Sequence, residues 1–196
     1  MKMYDDIEVV CDNNIFIHKM AQGICATLQA LGLDVKFSHL AHKTEIDRFF
    51  LSAHSKTSPL VICMHGVHTE GKYGFRFECM ARSGQTGDFG PFTYDITQDM
   101  LPDLWKIKHE LVISTACSSG RSEVSDILLT KGVNRYIAPT VDISIMSSML
   151  FVQTFFYNLM YWNPTDIEAC FEKSRRIDDS PRNGDTMNYQ MRRSGV

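Results

Sequence analysis

The run Leu111-Val-Ile-Ser-Thr-Ala-Cys117-Ser-Ser-Gly120 begins with three apolar residues, continues with small ones and ends on a glycine. A short apolar run bounded by turn-forming residues fits a strand buried on both faces of a sheet. The segment behind it, Ser122 to Thr130, reads as a helix.

The same unit recurs on either side of this run. Ile7 to Cys11 suits a buried strand, and Ile15 to Leu31 carries apolar residues at helical spacing before Gly32 stops it. Val35, Phe37 and Leu40 mark a second strand; Thr44 is expected to cap a helix from Glu45 to His54, with Asp47 in its first turns, where negative charge is favoured. Pro59 breaks the chain before Leu60 to Met64, a third strand. Tyr136 to Ala138 is a further one, ahead of a helix from Ser144 to Met160. Strands alternating with helices predict an α/β fold with a mostly parallel sheet of about five or six strands and helices on both faces.

One insert breaks this rhythm. Tyr73 to Met80 alternates like an exposed hairpin arm and leads into a loop carrying Gly84, Gly87, Gly90 and Pro91. It is expected over one end of the sheet, where loops shape binding sites. From Asp178 the chain turns polar, with Pro181, Asn183 and Gly184, and reads as a tail, except that Met187 to Met191 suits a short edge strand.

At 196 residues and 44% apolar content the chain supports one substantial core, so a single domain over 1–196 is expected. A formal charge of −3, with 22% charged residues and no long single-sign run, offers no grip on a phosphate backbone or an anionic membrane, which excludes nucleic acid as a partner. The opening MKMYDDIEVVC is too acidic and its apolar run too short for a secretory signal. Cysteines stand at 11, 25, 63, 79, 117 and 170, with no CxxC pair, so a cytoplasmic protein with reduced thiols is expected. Ile143 to Trp162 has nearly the length of a membrane span, but its serines, Gln153, Thr154 and Asn158 favour a helix buried in a soluble core, so no membrane partner is expected.

In open α/β sheets ligands bind outside the carboxyl ends of the strands, so the chemistry is sought there. The third strand ends in Met64-His65-Gly66, and the opening run ends in Thr115-Ala116-Cys117-Ser118-Ser119-Gly120. A histidine and a cysteine thus reach neighbouring strand ends. The thiolate is the nucleophilic form of cysteine, and an adjacent imidazole together with the N-terminus of the next helix raises its share. An attacked carbonyl develops negative charge that needs backbone N–H donors, for which Gly66 and Cys117 are the candidates.

A hydrophobic run ending in His-Gly and a second ending in Ala-Cys resemble the paired signature of the caspase-like (clan CD) cysteine peptidases. The CHAT branch is the most similar, through Leu111 to Cys117, Gly132-Val133 before the next strand, Asp142 just after it, and Phe155 to Leu159 in the following helix. The resemblance covers roughly residues 58 to 177. Cys117-Ser-Ser-Gly120 is also similar to the metacaspase pattern of Cys, any residue, Ser and Gly; Thr115 departs from it, standing where metacaspases carry an acidic residue, which weighs against cleavage after Arg or Lys. The resemblance implies a caspase-like three-layer sandwich with Cys117 as nucleophile, His65 as general base, an oxyanion hole from the Gly66 and Cys117 amides, and Asp142 lining the pocket for the P1 side chain. It further implies a protein or peptide substrate laid along the sheet edge, no cofactor, an activating partner or ligand, and a role in bacterial stress or antiphage signalling. The family generally works with a dyad, so no third residue is named.

Other readings stand beside these. Asp142, just before Ser144, equally suits a helix cap. His65 and His68 with Cys63 and Cys79 lack a second ligand pair at zinc spacing, so no metal site is expected. His18, His39, His42, His54 and His109 are read as surface or boundary residues, Cys11, Cys25, Cys63 and Cys170 as core, Cys79 as exposed, and Arg175, Arg176, Arg182, Arg192 and Arg193 as a solvated face. Two other functions fit the same fold: a non-catalytic module binding a nucleotide-like ligand or a protein, and a Cys-His hydrolase of a small molecule with Gly71 to Pro91 as its lid.

Overall fold

In a computed structural model, residues 3–52, 55–80, 92–177, 186 and 188–195 are described. In chain order the elements are β1 (Asp6–Cys11), α1 (Ile15–Ala30), β2 (Asp34–His39), α2 (Lys43–Leu51), β3 (Ser55–Lys56), β4 (Leu60–Cys63), β5 (His65–Thr69), β6 (Lys72–Cys79), β7 (Phe92–Thr97) and α3 (Leu101–Leu104). They continue with β8 (Lys108–His109), β9 (Leu111–Ser114), α4 (Ser122–Thr130), β10 (Arg135–Pro139), α5 (Ile145–Tyr157), a π-helical turn over Asn158–Trp162, α6 (Ile167–Ser174) and β11 (Tyr189–Arg193).

Six strands form one sheet in the order β11-β10-β9-β4-β1-β2, parallel throughout except for β11, which runs antiparallel along β10 at one edge. From β1 the chain moves to β2 on one side; from β4 it moves through β9 to β10 on the other. Right-handed crossovers made in opposite directions put their helices on opposite faces. Accordingly α1, α5 and α6 pack against one face and α2, α3 and α4 against the other.

The pleat distributes each strand between two cores. Val9, Cys11, Val61, Cys63, Leu111, Ile113 and Ile137 face α1 and α5; Val10, Leu60, Ile62, Val112, Tyr136 and Ala138 face α2 and α4. This is why the central strands are unbroken apolar runs: neither face meets water, and each buried Val, Leu or Ile contributes about 1.5–3 kcal/mol.

Two helices differ from expectation. Helix α2 starts at Lys43 and ends at Leu51, with His42 rather than Thr44 at its N-cap. Glu45 decides the start: its carboxylate accepts the N–H groups of Ala41 (2.9 Å) and His42 (3.0 Å), a reach-back that fixes the cap three residues earlier. Helix α5, expected from Ser144 to Met160, runs from Ile145 to Tyr157 and passes into the π-helical turn; it buries Phe151, Val152, Phe155 and Phe156, and Leu159 in the π turn continues the same face. Gln153 donates to the Thr27 hydroxyl (2.8 Å) on α1. Among the described residues no helix is long and apolar enough to cross a membrane.

The insert is a three-stranded antiparallel sheet in the order β5-β6-β7. Glu70 and Gly71 join β5 to β6 as a two-residue turn with both φ values positive, 52° and 74°, a geometry that matches the strand twist. Strand β6 is not an exposed arm. Tyr73, Phe75, Phe77 and Cys79 are buried in the second core beside Phe50 and Trp105, which corrects the expected exposure of Cys79. Its end is tied to the loops after β1 and β2: the Glu78 N–H donates to Asp12 (2.9 Å), the Asn14 amide to the Glu78 carboxylate (2.6 Å), and the Met80 N–H to the Ala41 carbonyl (2.8 Å).

Of the remaining expectations, β11 forms the edge strand but begins at Tyr189. His109 is buried rather than at the surface, its Nδ1 2.7 Å from the Ser58 carbonyl. The positions of Gly84, Gly87, Gly90, Pro91, His54, Arg182 and the 178–185 segment lie outside the described residues.

Candidate active site at the carboxyl ends of β4 and β9

Strands β4 and β9 are neighbours paired in parallel, so their carboxyl ends emerge side by side. Met64 follows β4, and His65 opens β5 rather than closing β4. Beyond β9 the chain turns at Thr115-Ala116-Cys117. The Thr115 N–H donates to the Ile62 carbonyl (2.9 Å), so the turn is still latched to β4 where it begins.

The turn carries its own polar bracing. Buried Ser114 accepts the Ala116 N–H (3.1 Å), and the buried Ser119 hydroxyl lies 2.8 Å from the Ala116 carbonyl and 3.0 Å from Ser114 Oγ. Ser118 adopts a left-handed backbone, φ 58°, which a residue with a Cβ enters at a cost of about 1–2 kcal/mol. It is held there by its N–H to the Val141 carbonyl (3.1 Å) and its hydroxyl to the Asp142 carboxylate (3.4 Å).

Gly66 brings the two strand ends into contact. A Cβ built on it would fall 1.9 Å from the carbonyl oxygen of Cys117, so a glycine is the residue that lets this approach happen. His65 and Cys117 consequently line one small cavity of ≈ 70 Å³, together with Met64 and Thr115 from the same strand ends. Helix α1 adds Ile17 and Met20, and the start of α5 adds Ile145 and Ser148.

Cys117 is half-buried, whereas the other five cysteines are buried. Burial pushes the thiol of Cys11 up to about 12 and those of Cys25, Cys79 and Cys170 up to about 11, and raises that of Cys63 as well. Cys117 Sγ instead meets the backbone of Ile143, 3.4 Å from its N–H and 3.7 Å from its carbonyl. The helix start that Sγ meets is therefore that of α5, not that of α4, which begins five residues after Cys117.

Asp142 is exposed and does not cap α5: Ser144 is the cap, accepting the Ser147 N–H (3.0 Å). Asp142 braces Ser118 and is not part of the cavity wall. His68 stacks on the Tyr73 ring (4.7 Å), and among the described residues no group of three or more His, Cys, Asp or Glu side chains is arranged to hold a metal ion.

Asp12, at the carboxyl end of β1, was not singled out from sequence. Its fully buried carboxylate accepts the N–H groups of Asn14 (3.2 Å) and Glu78 (2.9 Å). Burial raises its pKa, while those two N–H groups and the nearby His65 imidazole lower it. The sequence signal was the switch from apolar to polar at Cys11-Asp12-Asn13-Asn14, at the same sheet end as His65. Opposite His65 in the β5–β6 ladder stands Arg76, whose guanidinium is bound by both oxygens of Asp95 (2.7 Å each).

Fold and cavity together define an α/β protein with a mostly parallel sheet and a cysteine and a histidine converging at its carboxyl edge. No protein-family model matches the chain, and no curated protein matches it. Among solved structures it is similar to a Streptococcus pneumonia TIGR4 flavodoxin, at 14% identity and a TM-score of 0.35, over 76% of this chain and 94% of that one.

Proposed function

We propose that this chain is a caspase-like cysteine peptidase with Cys117 as nucleophile and His65 as general base. The proposal rests on the contact of Gly66 with the Cys117 peptide, which sets His65 and Cys117 on the walls of one cavity. The six-stranded, mostly parallel sheet with helices on both faces is compatible with the caspase-like three-layer arrangement.

His65 takes the thiol proton, and the thiolate attacks the carbonyl carbon of a peptide bond. The Ile143 N–H at Sγ is a donor that a thiolate accepts more strongly than a thiol does. The oxyanion that forms is stabilised by the backbone N–H groups of Gly66 and Cys117. The imidazolium returns its proton to the departing amine, leaving a thioester on Cys117. Water, deprotonated by His65, then hydrolyses the thioester to release a carboxylate and the free thiol. Asp142 steadies this machinery through Ser118. Six free cysteines suit the reducing cytoplasm. By family analogy the peptidase is an effector switched on by a partner or ligand in bacterial stress or antiphage signalling.

Treatment with a peptidyl electrophile, read by intact mass and peptide mapping, tests the dyad. One adduct on Cys117, lost in His65→Ala and in denatured protein, is expected. Labelling of Cys117 that is indifferent to both overturns the proposal.

A further inference from the structure

The cavity beside Cys117 carries little charge. Apart from His65 and Cys117 themselves, its walls carry no ionisable side chain: Ile17, Met20, Met64 and Ile145 are apolar, and Thr115 and Ser148 are neutral hydroxyls. A carboxylate or guanidinium inserted here would lose its hydration and find no opposite charge outside the dyad, whose groups the reaction itself uses.

Size narrows the occupant further. At ≈ 70 Å³ the space exceeds one water, about 30 Å³ in the liquid, and falls well short of the roughly 150 Å³ cavity that accepts a benzene ring. Ile17 and Met20 lie one helical turn apart on α1 and Ile145 opens α5, so the walls belong to packed helices. The same two helix starts carry exposed apolar side chains outside the cavity wall: Ile15 and Phe16 in the first turn of α1 are 57% and 64% exposed, and Met146 in the first turn of α5 is 66% exposed. Large apolar side chains left in water at two adjoining helix starts beside a cavity mark a surface for apolar contact.

Resting on the peptidase reading above, we infer that this site cleaves peptide bonds that follow a small uncharged residue, of the size of Ala or Val, within an apolar segment. The cavity between α1 and α5 takes that side chain, and Ile15, Phe16 and Met146 contact its neighbours. An acidic or basic residue at that position is disfavoured by walls that hold no charge beyond the dyad, and an aromatic one by volume.

Two measurements on the full chain separate this inference from the reading beneath it. The rate of Cys117 alkylation by iodoacetamide in wild type and in His65→Ala reports the dyad without reference to any side chain. Peptidyl acyloxymethyl ketones that differ only in the P1 residue, Ala, Val, Phe, Asp or Arg, report the cavity. Ala and Val probes are expected to label Cys117 at least about 100-fold faster than Asp and Arg probes, with Phe slower than Val. Ile145→Ala, and Met20→Ala as a second variant, should raise the Phe rate relative to Ala in protein that retains its melting transition. An Asp or Arg probe reacting fastest, or a Phe preference in wild type, overturns the inference and leaves the dyad standing. Alkylation indifferent to His65 overturns both.

Discussion

The α-carbon of Gly66 rests on the peptide of Cys117, with room for no further atom: a methyl placed there would stand 2.7 Å from both the nitrogen and the carbonyl carbon of Cys117. Backbone cannot swing aside as a side-chain tip does. Gly66→Ala is therefore expected to destabilise the fold by about 1–3 kcal/mol and to slow Cys117 alkylation at least tenfold, because the two strand ends are forced apart. Gly195→Ala, where a Cβ meets nothing within 4 Å, is the control and should change neither. Urea midpoints and alkylation rates measured side by side check this; equal midpoints for the two variants would refute it.

Ser118 occupies the left-handed region immediately after Cys117. Ser118→Asn should be tolerated, since Asn enters this region at little cost and keeps a polar side chain for Asp142. Ser118→Val adds β-branching to the strained backbone and removes the hydroxyl, and is expected to cost about 1–2 kcal/mol. The two variants compared by thermal melting separate backbone strain from the mere loss of serine; equal melting would refute it.

The buried thiols make stability fall on the alkaline side. A free thiol titrates near 9.0, whereas Cys25, Cys79 and Cys170 are held protonated to about 11 and Cys11 to about 12. Above pH 9 the unfolded chain thus binds fewer protons than the folded one, so unfolding becomes easier as pH rises, and the share of these four thiols in that loss levels off beyond 11 to 12. Each thiol fully ionised in the unfolded chain contributes a slope of about 1.4 kcal/mol per pH unit. Urea unfolding at pH 8, 9 and 10 measures it. At pH 8 iodoacetamide should modify Cys117 first, and all six cysteines only once urea has unfolded the chain.

Ser114 is a small residue with a large share in the shape of the turn that carries Cys117. Ser114→Ala leaves the Ala116 N–H without its acceptor inside a buried turn. The expected loss is about 1–3 kcal/mol, a drop in Tm of roughly 2–10 °C, accompanied by slower Cys117 alkylation. A melting temperature within a degree of wild type would refute the role.

The sheet could be read from sequence because its central strands are buried on both faces, which writes them as continuous apolar runs such as Leu111 to Ser114. His65 and Cys117 could be found for the same reason, since each breaks such a run at its carboxyl end. What escaped depended on contacts distant in sequence. Strand β6 looked half-exposed because its apolar alternation faces a core shared with Phe50 and Trp105 rather than open water. Glu45 overrode Thr44 as the determinant of the α2 start because a carboxylate reaching back satisfies two N–H groups at once. Asp12 was invisible as a partner of the site because its acceptor role is met by Glu78, 66 residues away. The cavity walls read as an apolar helix face on α1 and as part of a buried core helix on α5.

The anchoring of β6 bears on when the site can open. Phe75 and Phe77 are fully buried, and Glu78 and Met80 are fastened to the loops that follow β1 and β2. Lifting this strand would expose two aromatic rings and break those bonds together, so it belongs to the same cooperative unit as the sheet, and its amides should exchange with solvent only as slowly as global unfolding allows. The strand stands beside His65 as permanent masonry, and on the proposed peptidase reading a substrate reaches Cys117 without this strand moving.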